Sequence, residues 1–188
     1  MPRLTDLAHA AVRAALTTGE IAIDATAGNG NDTRFLSEIV GPPGRVFAFD
    51  VQPEALARTA DTIKSASHIT LLKRDHAEMR EAIPKELHGK IGAVMFNLGY
   101  LPGGDHSLTT QAASTLKAIS AALELLRPDG VLTVVAYPGH AGGAEETEAV
   151  ARFLNDLPGE FVMREEFAEV SRHAAPRLFV VHKQLTVG

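Results

Sequence analysis

The segment Asp24-Ala25-Thr26-Ala27-Gly28-Asn29-Gly30 joins an apolar run to a helical pattern and carries two glycines two positions apart. Glycine lets a backbone approach a ligand closely, through torsions that other residues resist. Asp50 closes a second apolar run, 20 residues after Gly30. A carboxylate at such a place can accept both ribose hydroxyls of a nucleoside, and Gln52 just beyond it could add a contact. Asp75-His76 follow a third apolar run and Asn97 ends a fourth. Each feature alone has a plainer reading: Gly-x-Gly as a tight turn, Asp50 as a cap, His76 as a surface residue. Their joint occurrence at successive strand ends points to one ligand crevice, because ligands of open α/β sheets sit beyond the carboxyl ends of the strands.

Two cofactor classes compete for that crevice. The dinucleotide fingerprint is G-x-G-x-x-G, whose third glycine allows close helix packing. Here the run is Gly28-Asn29-Gly30-Asn31-Asp32-Thr33, with threonine in the third place. Asp32 also opens the following helix, where it would repel a pyrophosphate lodged at the helix N-terminus. S-adenosylmethionine has no phosphate, and its α-amino group is attracted to carboxylates. The expected cofactor is therefore S-adenosylmethionine, held by Asp24, Ala27, Gly28, Asn29, Gly30, Asn31, Asp32, Thr33, Asp50, Gln52, Asp75, His76 and Asn97. No metal site is expected.

The acceptor side falls on Phe96-Asn97-Leu98-Gly99-Tyr100-Leu101-Pro102-Gly103-Gly104. Asn97 and Tyr100 have the spacing of the Asn-Pro-Pro-Tyr motif of amino-group methyltransferases, with Leu98-Gly99 in the middle. An amide carbonyl there can accept a hydrogen bond from an amine and aim its lone pair. An aromatic face can stack on a base. Asn97 and Tyr100 are the catalytic candidates. Tyr100, Pro102, Gly103, Tyr137 and His140 are candidates for the substrate wall, the last two from the glycine-rich loop Tyr137-Pro138-Gly139-His140-Ala141-Gly142-Gly143. A core position for Tyr100 and a plain turn for this second loop are the alternatives. The reaction would be an in-line displacement at a methyl carbon, in which the protein mainly holds the reactants at attack distance. His76, His140 or solvent could take the amine's proton, and the sequence does not choose among them.

The elements that must position these residues alternate. Helical spacing covers residues 4–16, and a short strand runs 21–26. A helix follows from Asp32 or Thr33 to about Val40, and a Gly41-Pro42-Pro43-Gly44 turn leads to a strand at 45–50. Pro53 starts a helix running to 64, and a strand at 69–72 precedes a short helix at 78–83. A strand at 91–97, a long helix at 109–126, a Pro128-Asp129-Gly130 turn, a strand at 131–136 and a helix at 144–157 come next. Two final strands lie at 161–167 and 177–182, with no helix between them. Alternation implies parallel pairing with right-handed crossovers. The expected fold is therefore α/β and Rossmann-like, of the class I methyltransferase kind. It would have a seven-stranded, mostly parallel sheet, a C-terminal antiparallel hairpin and helices on both faces.

The bulk numbers agree with one domain over residues 1–188. At 188 residues with 45% hydrophobic and 22% charged side chains, the chain can bury a core without staples. It has no cysteine, which removes disulfides and thiolate chemistry. No apolar run approaches the ~18 residues of a membrane span. The first residues lack the apolar stretch of a signal peptide, and a cytoplasmic protein is expected. A net charge of −5 argues against a large nonspecific nucleic-acid footprint, though not against a local patch.

From Leu7 to His182 the chain resembles a family of small class I methyltransferases known as rRNA methylases. Three motifs carry the resemblance: residues 24–33, residues 95–105 around Asn97 and Tyr100, and residues 137–143. The family commonly has histidine where this chain has Asn31. The resemblance implies that Asn29, Asn31, Asp50, Gln52, Asp75 and His76 hold the cofactor, and that Asn97 and Tyr100 face the acceptor. It further implies a homodimer acting on the anticodon stem-loop of tRNA. There the amine of 5-aminomethyl-2-thiouridine at the wobble position would be methylated. Arg3, Arg13, Arg34, Arg172, His173, Arg177 and Lys183 are the candidates for a phosphate patch. A small-molecule or rRNA amine methyltransferase on the same fold stays open, as does a nucleotide-binding module without catalysis. A nicotinamide oxidoreductase is a further alternative, which nicotinamide binding would reveal.

Overall fold

A computed structural model describes residues 3–64, 66–99, 103, 109–167 and 175–185. Among these residues the chain forms one seven-stranded sheet in the order β3-β2-β1-β4-β5-β7-β6. The strands are β1 (Ile21–Asp24), β2 (Arg45–Asp50), β3 (Ile69–Lys73), β4 (Ile91–Asn97), β5 (Leu126–Ala136), β6 (Phe161–Phe167) and β7 (Arg177–Lys183). β1 to β5 pair in parallel. β7 runs antiparallel to both β5 and β6 and lies between them. The two final strands thus form the expected hairpin, and its second strand is the one that joins the parallel body.

The helices are α1 (Leu4–Ala15), α2 (Asn31–Val40), α3 (Pro53–Ile63), α4 (Met79–Ala82), α5 (Ala112–Leu125) and α6 (Gly143–Asn155). Strand residues alternate between two apolar clusters, as the two-residue repeat of a strand requires. Ala22, Val46, Ala93, Met95, Val131 and Val135 face α1 and α2. Ile23, Phe47, Val94, Phe96, Leu132 and Val134 face the opposite side, with α5 and α6. Both faces are buried, as a parallel sheet demands.

Three boundaries differ from the sequence pattern for local reasons. α5 begins at Ala112 rather than at 109, because Thr110 is held extended by its N–H bond to the Gly99 carbonyl, at 2.9 Å. The Pro128-Asp129-Gly130 turn lies inside β5 as an irregularity. Asp129 has φ +58°, and the pairing register to β4 shifts between Ile91 and Ala93. The short helix after β3 opens as a 3-10 turn, His76–Glu78, before α4.

Candidate functional site

The carboxyl ends of β1, β2, β4 and β5 border a cavity of about 650 Å³. That is the size range of small-molecule and cofactor sites. Its floor is the β1–α2 loop, and the way this loop folds follows from its glycines. Gly28 has φ +54° and Gly30 φ +79°. A Cβ on Gly30 would stand 2.8 Å from the Thr59 Cα, so glycine is what lets α3 pack against the loop. α3 grips the loop in return: the Thr59 hydroxyl donates to the Gly28 carbonyl at 3.2 Å, and the Thr62 hydroxyl to the Asn29 carbonyl at 2.8 Å.

Asp50 ties the loop to the end of β2. One of its oxygens accepts the Gly28 N–H at 3.0 Å and the other the Gln52 N–H at 2.9 Å. Each oxygen keeps further acceptor capacity, and Asp50 lines the cavity. The carboxylate is therefore fixed in direction while still able to accept two more donors, as a vicinal diol would require.

The site is electronegative. Asp24 is fully buried, and it accepts the Thr33 hydroxyl at 2.6 Å and the Thr26 N–H at 3.1 Å. Burial, and next the charge of Asp32, push its carboxyl up to about 7, against the pull of those two hydrogen bonds; Asp50 adds to the rise. Asp32 itself bonds His9 Nε2 at 2.6 Å, and the His9 ring stacks on Phe35 at 3.8 Å. Asp32 and Asp50, the two carboxylates that line the cavity at this loop, favour a cationic ligand.

β3 brings Asp75 and His76 to the same edge. Asp75 Oδ1 accepts the Ala77 N–H at 2.8 Å and caps the 3-10 turn. His76 is 8% exposed, and burial holds its imidazole below the usual histidine range. Its Nδ1 lies 3.2 Å from the Ala25 carbonyl, which can only accept, so Nδ1 carries the proton and Nε2 a lone pair. On β4, the Asn97 N–H donates to Thr26 Oγ1 at 2.8 Å, which registers β4 against the β1–α2 loop. The Leu98 N–H donates to the Val135 carbonyl at 2.8 Å.

The sequence candidates divide by position. Ala27, Gly28, Asn29, Asn31 and Asp32 line the cavity from the first loop. Asp50, Gln52, Asp75 and His76 line it from β2 and β3, and Asn97, Tyr137 and His140 from β4 and β5. Asp24, Gly30 and Thr33 stand behind the loop and shape it rather than the wall. Gly103 is off the wall, and its carbonyl accepts from Arg58 at 3.1 Å. Arg58 also donates to the Asn29 side chain at 3.3 Å, so it bridges the two loops. Tyr100 and Pro102 lie outside the described residues, as do Arg172 and His173. Of the basic candidates, Arg3 pairs with Asp6 and Arg13 lies over the Phe35 ring. Arg34 is 3.9 Å from Glu38. Arg177 is engaged by Glu165 and Glu148, and Lys183 donates to the Leu123 and Leu126 carbonyls.

Sequence reasoning missed Thr26, Arg58, Thr110 and Glu146. Only Glu146 carried a signal: it is an acid on the same helical face as the apolar Val150 and Leu154. Among the described residues no group of three or more histidines, cysteines or carboxylates could hold a metal ion.

The family model described as "Putative rRNA methylase" matches residues 46–183. A chloroplastic protein of Arabidopsis thaliana named tRNA (mnm(5)s(2)U34)-methyltransferase is 35% identical over 193 residues, covering 97% of this chain and 70% of that protein. The crystal structure of a "putative rRNA-methylase" from Clostridium thermocellum superposes with a TM-score of 0.90 at 37% identity, covering 97% of this chain and 98% of that one. A Streptococcus mutans methyltransferase structure in complex with SAH gives a TM-score of 0.85 at 34% identity, covering 97% and 99%.

Proposed function

Because this chain belongs to the rRNA methylase family of S-adenosylmethionine-dependent methyltransferases, we propose that it methylates the exocyclic amine of 5-aminomethyl-(2-thio)uridine at the wobble position of tRNA. The observation that carries this reading is the hydrogen bond from the Asn97 N–H to Thr26 Oγ1. It sets an amide suited to an amine acceptor directly beside the loop suited to the cofactor. The Arabidopsis relative's name supplies the nucleoside.

The residues that line the cavity fit the cofactor. In this reading the Asp50 carboxylate takes the ribose hydroxyls through its free acceptor capacity. Asp75 and His76 flank the adenine, and Asn29, Asn31, Asp32 and Gln52 meet the remainder. Asp32 and Asp50 favour the ligand's positive charges, while buried Asp24 shapes the loop from behind. When bound, S-adenosylmethionine supplies a methyl group already activated on a sulfonium. The chain's work is then to hold the amine in line. Asn97 accepts a hydrogen from the neutral amine and aims its lone pair, and Tyr100 stacks on the base. Tyr137 and His140 border the acceptor. His76 is held neutral with a lone pair on Nε2, which makes it one candidate for the departing proton; His140 and solvent are the others.

In this reading the whole chain acts as one domain, as a homodimer, in the cytoplasm, with the anticodon stem-loop as partner. Among the described residues no helix is long and apolar enough to cross a membrane. The test is incubation with labelled S-adenosylmethionine and bulk tRNA from cells lacking the gene, followed by digestion to nucleosides. Label in the 5-methylaminomethyl nucleoside is expected; label only in a free metabolite would favour a small-molecule acceptor. Asn97→Ala should retain cofactor affinity and lose about 100-fold or more in kcat. Full turnover by that variant would remove the acceptor assignment.

A further inference from the structure

A buried acid on α6 holds together two residues that border the acceptor side. Glu146 is 2% exposed. Its carboxylate oxygens accept the hydroxyls of Thr110, at 2.7 Å, and Thr115, at 2.6 Å. Thr110 gives its single hydroxyl proton to Glu146, so its oxygen is left to accept. The Gly99 N–H donates to that oxygen at 3.0 Å. A second bond closes the pair, from the Thr110 N–H to the Gly99 carbonyl at 2.9 Å. Gly99 and Thr110 both line the cavity, and Gly99 follows Asn97 by two residues.

Packing does not call for an acid at this place. The neighbouring buried positions of α6 are Thr147, Val150, Ala151 and Leu154. A carboxylate buried among such residues is costly unless its oxygens are satisfied, and here both are satisfied by neutral hydroxyls. Hydrogen bonds to a carboxylate are stronger and more directional than neutral ones, so the acid fixes which way the Thr110 proton points. That direction decides whether the Gly99 N–H has an acceptor.

We propose that Glu146, acting through Thr110, is a positioning residue for the acceptor side. It clamps Gly99 and so sets where Asn97 presents its carboxamide. This rests on the reading of Asn97 as the group that faces the amine.

Thr110→Val deletes the hydroxyl at nearly constant volume, Thr110→Ser keeps it, and Glu146→Gln keeps the shape but replaces one acceptor oxygen with a donor. Each would be assayed with labelled S-adenosylmethionine and tRNA from cells lacking the gene, and its affinity for S-adenosylhomocysteine measured by calorimetry. In Thr110→Val and Glu146→Gln, kcat should fall about 10- to 100-fold while cofactor affinity stays within about twofold. Thr110→Ser should recover most of the rate. Wild-type kcat in Thr110→Val, or cofactor affinity falling by the same factor as kcat, overturns the proposal. Should Thr110→Val fail to fold, Glu146→Gln against Thr110→Ser makes the same comparison. If Asn97→Ala is inactive and these variants are unimpaired, the positioning role alone falls. If Asn97→Ala turns over at full rate, the reading beneath it falls.

Discussion

Asp50 ties two backbone amides and also lines the cavity, so a single substitution there tests its proposed hold on the cofactor. Its two oxygens hold the Gly28 and Gln52 amides and keep further acceptor capacity. Asp50→Ala should weaken S-adenosylhomocysteine binding roughly 10- to 100-fold, the range expected for losing charge-assisted hydrogen bonds. Affinity within about twofold of wild type, by calorimetry, would remove Asp50 from the cofactor site. Asp24 has the opposite character. Its carboxyl is raised, so the folded state holds a proton that the unfolded chain releases above about 3.9. Stability contributed at this position should fall as pH rises from about 4 to about 7 and then level off. Asp24→Asn mimics the protonated form and should flatten that slope, giving a urea midpoint at pH 8 equal to or above wild type. A lower midpoint at pH 8 would show that the charged form is the one the fold favours. The sequence placed Asp24 in the first strand and Asp50 at the end of the second, and made both cofactor candidates, but did not show that their surroundings differ. A carboxylate turned onto the Thr33 hydroxyl and one turned into a cavity look alike in sequence.

At the scale of elements, the contact between α3 and the β1–α2 loop is a close constraint on the site. Gly30→Ala would place a Cβ 2.8 Å from Thr59 Cα at φ +79°. The left-handed backbone and the overlap together should cost roughly 2–4 kcal/mol. Cofactor affinity should fall with it, because Thr59 and Thr62 would lose their grip on Gly28 and Asn29. Chemical denaturation measures the first effect, and a loss below about 0.5 kcal/mol would show that α3 can move aside. The glycine pair was legible because only glycine suits such torsions. The helix that needs the second glycine was not, since its contact spans 29 residues of sequence. The start of α5 was hidden for a similar reason. Thr109-Thr110 continues a helical pattern, but Thr110 is tied instead to Gly99 through its N–H and hydroxyl oxygen.

For the whole molecule, alternation of strands and helices made the parallel sheet legible, and the missing final helix made the hairpin legible. Strand order was less so: the sequence pairs β6 with β7 but does not say which of them meets β5. Charge was the least legible property. Arg177 and Lys183 read as free cations in the sequence, yet both are committed to partners within the fold. With a net charge of −5, the RNA footprint should be small. The KM for tRNA should rise with salt along a shallow slope, equivalent to about two to four phosphate contacts. Independence from salt between about 50 and 200 mM would argue for a substrate without a phosphate backbone.

The central claim is that a sulfonium nucleoside lies over the β1–α2 loop with its sugar on the β2 carboxylate. A crystal structure of this protein with S-adenosylhomocysteine tests it most directly. The ribose hydroxyls should lie within hydrogen-bonding distance of the Asp50 oxygens, with the sulfur turned toward Asn97. An adenosine moiety bound elsewhere, or turned so that its sugar leaves Asp50 untouched, would contradict it.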